Sequence, residues 1–274
     1  ACGTKDAAKT DTGKVAQAGA AANSKYDPAT RTATVHAKEF AFDAADSIPA
    51  GWTNFHFVND GSMLHHLQIA RLDSGKTPDD FVTAMSKPGP PPAWVTFVGG
   101  PNAPNPGAFS HAAFNLPAGS YIMLCLVDIP DHVPHFAKGM VHPFTVTAST
   151  AAGAEPASDA TIALADYSFT VTGALTAGHH TIKVTNAGPQ VHELELVKFA
   201  TGKGMKDLAA WAASLQGPPP ADALGGVAAL MSGLGGTFDV DLTPGNYAFI
   251  CFVPDAKDGK PHLEHGMAKE FKVN

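Results

Sequence analysis

The residues with the most chemistry to offer lie near the C-terminal end of the chain. The apolar run Tyr247-Ala248-Phe249-Ile250-Cys251-Phe252-Val253-Pro254 is followed by a polar loop and then by Pro261-His262-Leu263-Glu264-His265-Gly266-Met267. A thiol at the end of a strand, with imidazoles and a thioether one loop later, is a soft donor set, and such sets select copper among the common metals. The same arrangement occurs earlier as Tyr121-Ile122-Met123-Leu124-Cys125-Leu126-Val127, a polar loop, and Val133-Pro134-His135-Phe136-Ala137-Lys138-Gly139-Met140. Each set also has an upstream imidazole, His65 after Val58-Asn59-Asp60-Gly61 and His192 after Thr185-Asn186-Ala187-Gly188. A lone Cys in an apolar strand is ordinarily a small buried hydrophobe. Here His, Cys, His and Met recur in the same order twice.

Donors so far apart in sequence need a scaffold to bring them together. From Arg31 onward, short stretches of β-branched and aromatic residues alternate with Gly, Asn, Asp and Pro, the pattern of strands and turns. Strands are expected at 32–35 with 40–42, then at 52–58, 66–72, 108–116, 120–127 and 140–147, and again at 161–170, 181–186, 192–199, 237–242, 246–253 and 268–273. In Thr77-Pro78-Asp79-Asp80 a hydroxyl cap, a proline in the first turn and an acid three residues after the cap predict a short helix to Ser86. A second helix is expected near 205–215. The interval from His65 to His192 recurs between Met140 and Met267, and it is kept to within one position between Cys125 and Cys251 and between Gly89 and Gly217. Register kept across a whole domain means one fold present twice. The expected fold class is all-β, with sandwich domains at 29–149 and 159–274, a linker at 150–158 and a flexible tether at 1–28.

A chain of 274 residues can bury two cores. With 18 Lys+Arg against 25 Asp+Glu, a net charge of -7 and no basic run, it would repel a phosphate backbone, so nucleic acid is not expected as a partner. No apolar run approaches the roughly 20 residues that span a bilayer. Thirteen His against an odd count of three Cys favours metal-capable nitrogen over a disulfide framework. Cys2 stands apart, between Ala1 and Gly3, ahead of a polar, Ala-rich stretch without apolar periodicity. A Cys between small residues resembles the processed end of a bacterial lipoprotein, which makes Cys2 the expected lipidation site and the membrane anchor.

The twice-repeated His, Cys, Pro-His and Gly-Met pattern resembles the cupredoxin, or blue-copper, family from Arg31 to the end of the chain. The resemblance implies two tandem Greek-key β-sandwiches, each with one short helix inserted and one copper at its end. Carried across residue by residue, the implied ligands are His65, Cys125, His135 and Met140 in the first domain and His192, Cys251, His262 and Met267 in the second. The shared spacing of His135 to Met140 and of His262 to Met267 matches plastocyanin-like members. The separation from Cys to downstream His is longer than the family's: His135 is the tenth residue after Cys125 and His262 the eleventh after Cys251, so His132 and His265 stand as rival ligands. Two imidazoles and a thiolate give copper a trigonal field suited to both Cu(I) and Cu(II), with the thioether tuning the potential. The expected function is copper binding and electron transfer in the periplasm or at the outer cell surface, between redox or copper-donor and acceptor proteins. Rival readings are copper storage, delivery or tolerance, and a metal-free binding module. A trinuclear copper oxidase needs several His-x-His pairs, which the sequence lacks. A nitrite-reductase-like activity is the remaining enzymatic alternative.

Overall fold

The computed structural model describes residues 25–87, 89–128, 133–212 and 217–274. The first half runs β1 (Tyr26–Asp27), β2 (Thr32–Lys38), β3 (Ala41–Asp43), β4 (Ser47–Pro49), β5 (Gly51–Asn59), β6 (Gln68–Leu72), α1 (Pro78–Met85), β7 (Val95–Gly99), β8 (Phe109–Leu116), β9 (Gly119–Leu124), a 3-10 turn (His135–Lys138) and β10 (Val141–Thr147). The second half runs β11 (Ala160–Ala165), β12 (Ser168–Thr172), β13 (Gly178–Asn186), β14 (His192–Phe199), α2 (Met205–Ala212), β15 (Ala221–Leu230), β16 (Gly235–Leu242), β17 (Gly245–Ile250), a 3-10 turn (His262–His265) and β18 (Ala268–Val273).

The local reasons are visible in the side chains. In β5, Gly-Trp-Thr-Asn-Phe-His-Phe-Val-Asn, every second residue is buried, so Phe55 and Phe57 face the core while Asn54 and His56 face outward. The α1 cap is reciprocal: Thr77 Oγ1 accepts from the Asp80 N–H, and the Asp80 carboxylate accepts from the Thr77 N–H. Phe81 is the side chain this helix buries.

The strands form two nine-stranded sheets, and both sheets run through both halves of the chain. One is joined where β16 pairs with β8, Phe238 opposite Ala112, and the other where β15 meets β7 at Leu230 and Val98. A single apolar cluster lies between the sheets, with Phe55, Phe57, Phe114 and Tyr121 from the first half and Leu194, Phe238, Tyr247 and Phe249 from the second. Segment 101–104 lies along this seam, bridging from Pro101 to Val227 and from Pro104 to Leu224.

Three expectations need correction. The stretch 161–170 is not one strand: β11 and β12 form a hairpin, with Ala165 opposite Ser168 across the two-residue turn Asp166-Tyr167. Asp166 is the one turn-forming residue there, and with bulky Tyr167 beside it the turn signal is too weak to break the strand pattern. Strands β7 and β15 were missed, because Gly225 and Gly226 and the flanking prolines mask β propensity that the seam supplies by pairing. The expected tether overlaps the fold at its end, where Tyr26 and Asp27 pair with Ala33 and Thr32 and where Lys25 forms an ion pair with Asp43. The expected linker is exposed along nearly all its length and is fastened to the first half at its start, where Arg31 donates to the Ala151 carbonyl and the Trp52 N–H to the Ala152 carbonyl.

Two equivalent positions on the seam differ in charge. Gln68 is fully buried, and its amide nitrogen reaches the carbonyls of Ile69, Gly99 and Ala229. Its counterpart at the repeat interval, Glu195, is also buried; one carboxyl oxygen accepts from the Ala103 N–H and the other has no partner. Burial, reinforced by neighbouring Glu193, pushes the Glu195 carboxyl well above the ordinary range. A raised carboxyl costs stability as pH rises above the ordinary Glu range and costs nothing below it. Glu195→Gln is therefore expected to raise the unfolding free energy at pH 8 by about 1–3 kcal/mol. The gain should fall away at pH 4 in urea unfolding; an equal gain at both pH values would contradict this account.

Candidate metal centres

Each expected Cys stands one residue past the end of an interior strand of the second sheet, Cys125 after β9 and Cys251 after β17. Both thiols are fully buried. After two residues beyond the Cys the chain enters an antiparallel bridge, Asp128 to Pro134 in the first half and Pro254 to Pro261 in the second. The 3-10 turn then begins at the His. His135 N–H donates to Val127 O at 3.0 Å, and His262 N–H to Val253 O at 2.9 Å. This removes the difficulty of the long Cys-to-His separation, since the bridge and the bond to Val127 or Val253 return the imidazole to the thiol whatever the number of residues between.

Gly139 (φ 100°) and Gly266 (φ 91°) end the turns in the left-handed conformation that glycine adopts without strain. The chain then re-enters a strand at Met140 and Met267. Cys125 N–H donates to Met140 O at 3.4 Å, and Cys251 N–H to Met267 O at 3.2 Å, so each Met lies beside its Cys in the ladder. Both Met side chains are fully buried in the same apolar cluster as the thiols.

The upstream imidazoles arrive from the opposite side. In the first half, His65 Nδ1 is 3.0 Å from His135 Nδ1, which is 3.4 Å from Cys125 Sγ. In the second, His192 Nδ1 is 3.1 Å from His262 Nδ1, which is 3.4 Å from Cys251 Sγ. In each half the three donor atoms lie within 4.8 Å of one another, and all three residues are buried. The backbone N–H of the residue after the upstream His points at the sulfur, from His66 to Cys125 and from Glu193 to Cys251, at 3.5 Å in both. The side chains of those residues also correspond: His66 Nε2 accepts from the Leu126 N–H at 3.1 Å, and Glu193 Oε1 from the Phe252 N–H at 2.9 Å.

The protons decide whether such a set suits a cation. A neutral imidazole carries one N–H, so two Nδ1 atoms at hydrogen-bond distance need one ring protonated there, which strips its Nε2. In the second half His192 Nε2 contacts Asp166 Oδ1 at 2.9 Å and must carry its proton there. The bridging proton then belongs to His262 Nδ1. That leaves His262 Nε2 bare, buried and without a partner, 3.7 Å from the Asp255 carboxylate. In the first half both outer nitrogens, His65 Nε2 and His135 Nε2, lack hydrogen-bond partners. In the second half a cation held by the two Nδ1 atoms and the sulfur would let both rings carry Nε2–H, that of His192 against Asp166 and that of His262 facing Asp255; in the first half the outer nitrogens have no hydrogen-bond partner in either case. Burial lowers the proton affinity of His65, His135, His192 and His262, keeping the imidazoles neutral as ligands must be. It also pushes the Cys125 thiol up to about 12 and the Cys251 thiol higher still, so a thiolate forms there only with a positive partner.

Of the rival ligands, His265 is exposed and sits with Asp258 (3.2 Å) and Asp255, outside the Cys251 group. His132 and Cys2 lie outside the described residues. Sequence reasoning missed Glu39, Phe40, Asp166 and Tyr167. The Phe40 ring stands edge-on to His135 at 5.4 Å, and the Tyr167 ring edge-on to His262 at 5.6 Å. Glu39 and Asp166 approach His65 and His192 respectively. The signal was present, since Glu39 and Asp166, Phe40 and Tyr167, and Gly61 and Gly188 all keep the interval that separates His65 from His192.

No protein-family model and no curated protein matches the chain. Among solved structures it is similar to a dithionite-reduced auracyanin from Roseiflexus castenholzii, at 24% identity over 43% of this chain and 97% of that one, with a TM-score of 0.31. It is also similar to a copper nitrite reductase from Nitrosomonas europaea, at 16% identity over 89% of this chain and 93% of that one, with a TM-score of 0.26. A third likeness is to a multicopper oxidase, at 14% identity over 89% and 88%, with a TM-score of 0.25.

The glycine before each upstream His is set by the contact between imidazole and carboxylate. A Cβ on Gly188 would come within 2.9 Å of His192 Nε2 and 3.0 Å of Asp166 Oδ1, where something must shift. Gly188→Ala is expected to separate the pair and to cost about 1–3 kcal/mol of stability, the usual range for overpacking a filled site. Chemical unfolding reads the loss; an unchanged midpoint would contradict the packing described.

Proposed function

We propose that the chain is a pair of tandem cupredoxin-like units, 29–149 and 159–274, sharing both sheets, and that each binds one copper for one-electron transfer. The implied ligands are His65, Cys125, His135 and Met140, and His192, Cys251, His262 and Met267. The observation that carries this reading is the convergence, in each half, of one buried thiol and two buried imidazoles whose donor atoms lie within 4.8 Å of one another. Two imidazoles, a thiolate and a weak axial thioether form the donor set that suits copper in both oxidation states. Copper held there would supply a Cu(II)/Cu(I) couple.

The residues would do the rest. The ladder bonds between Cys and Met and the bridged loop hold the donors on strand ends, which limits their rearrangement when charge changes. The peptide N–H groups of His66 and Glu193 stabilise negative charge on sulfur. Burial of all six nitrogen and sulfur donors keeps water off the site. Lipidation at Cys2 would tether the chain to a bacterial membrane, facing the periplasm or the outside, where it meets redox partners or copper donors. Among the described residues no helix is long and apolar enough to cross a membrane.

Addition of Cu(II) to the purified protein is expected to give an intense visible thiolate-to-copper band. Cys125→Ser and Cys251→Ser should each remove one share of it. Binding without the band would favour storage or delivery over electron transfer, and no stoichiometric binding would leave an inert sandwich. Because each buried thiol must lose its proton, one proton per copper is released, and apparent affinity rises about tenfold per pH unit between pH 6 and 8. Titration at several pH values checks the slope; a pH-independent affinity would exclude thiolate ligation.

A further inference from the structure

The two hairpins closed by Glu39-Phe40 and Asp166-Tyr167 share one property: in each, two adjacent residues reach both imidazoles of a centre. Lys38 pairs with Ala41, and Ala165 with Ser168, so each turn has only its acid and its aromatic residue between the strands. The aromatic is left-handed in both, φ 61° at Phe40 and φ 62° at Tyr167, a conformation bulky side chains avoid. Strain repeated at equivalent positions, with the ring against a candidate ligand each time, marks a positioning role.

The two turns are not equally engaged. In the second half Asp166 Oδ1 holds His192 Nε2 at 2.9 Å, while the Tyr167 hydroxyl donates to Asp255 Oδ2 at 2.5 Å. That holds a second, buried carboxylate beside His262 Nε2, at an ion-pair distance of 3.7 Å though not in a hydrogen bond. In the first half the Glu39 carboxylate is taken up by Ser62, accepting from its N–H and, at 2.9 Å, from its hydroxyl. It stands 4.0 Å from His65 Nε2, beyond hydrogen-bond reach. Phe40 has no hydroxyl with which to hold an acid near His135. Carboxylates on the outer nitrogens fix ring orientation and raise ligand basicity, which favours the more highly charged metal ion.

We propose that the acid–aromatic turn is the positioning element of each centre, and that its fuller engagement at Asp166-Tyr167 makes the second centre the tighter Cu(II) site and the lower-potential one. An electron shared between the two then rests on the first. This rests on the copper reading above, and the test separates the two.

The full-length Cys125→Ser and Cys251→Ser proteins isolate the second and first centres. If neither develops the charge-transfer band, the copper reading fails. If both do, spectroelectrochemical titration should place the second centre below the first. Asp166→Asn should weaken Cu(II) binding at the second centre about 10–100-fold with the band retained. With Cu(I) affinity unchanged, that moves its midpoint up by about 60–120 mV at about 59 mV per tenfold. Asp166→Glu should recover part of the shift, and Glu39→Gln should move the first centre less than threefold. Tyr167→Phe keeps the ring and removes the bond to Asp255; it should raise the midpoint in the same direction, and it decides the matter should Asp166→Asn not fold. Equal midpoints in the two centres, or banded variants whose midpoints do not move, would overturn the proposal.

Discussion

One thiol and two imidazoles are packed into each of two small, dry spaces, and neutral side chains alone cannot satisfy them there. Two Nδ1 atoms 3.0 or 3.1 Å apart must share a proton, and the ring that supplies it leaves a buried nitrogen without a donor. Much of the surrounding structure maintains this crowding. The side-chain amide of Asn59 bonds the carbonyls of Met63 and Pro104, and that of Asn186 bonds Gln190 and Leu230, so the loops carrying His65 and His192 are fixed from below. The 3-10 turns and their left-handed glycines return the other imidazole from the far side.

The shared sheets give this crowding its rigidity. Each sheet crosses the junction of the two halves by strand pairing, and the core between them is continuous, so neither half presents an open edge at the junction. The cost is polar burial along the seam, where Gln68, Asn102, Glu193 and Glu195 are all nearly inaccessible. Glu193, whose carboxyl burial pushes up to about 7, receives N–H groups from Phe252 and Asn102 and so ties the loop after Cys251 to the segment between the halves.

Equivalent positions divide into two kinds. Those that bring donors together are the same in both halves: His65 and His192, Cys125 and Cys251, His135 and His262, Met140 and Met267, Asn59 and Asn186, Gly61 and Gly188. Those one contact further out differ, as with Glu39 and Asp166, Phe40 and Tyr167, His66 and Glu193, Gln68 and Glu195. The inner set is fixed by donor chemistry and close approach. The outer set is free to vary the charge that each centre feels.

The sequence by itself determined the strand class, the recurrence of its landmarks and which His and Cys residues the fold gathers in each half, because residue type carries donor chemistry and alternation carries strand periodicity. The capped helix at Thr77 was legible for the same reason: its signal lies within one turn of the chain. Only the tertiary structure decided how a His so far past the Cys returns to it, since the bridges Asp128 to Pro134 and Pro254 to Pro261 pair residues with weak strand propensity. Only it could reveal the Asp166-Tyr167 turn, where a bulky residue takes a left-handed conformation that local preference argues against and packing against His262 imposes. Long-range contact also fused the halves, because the β8–β16 and β7–β15 pairs join segments from opposite halves of the chain and leave no periodic mark in either.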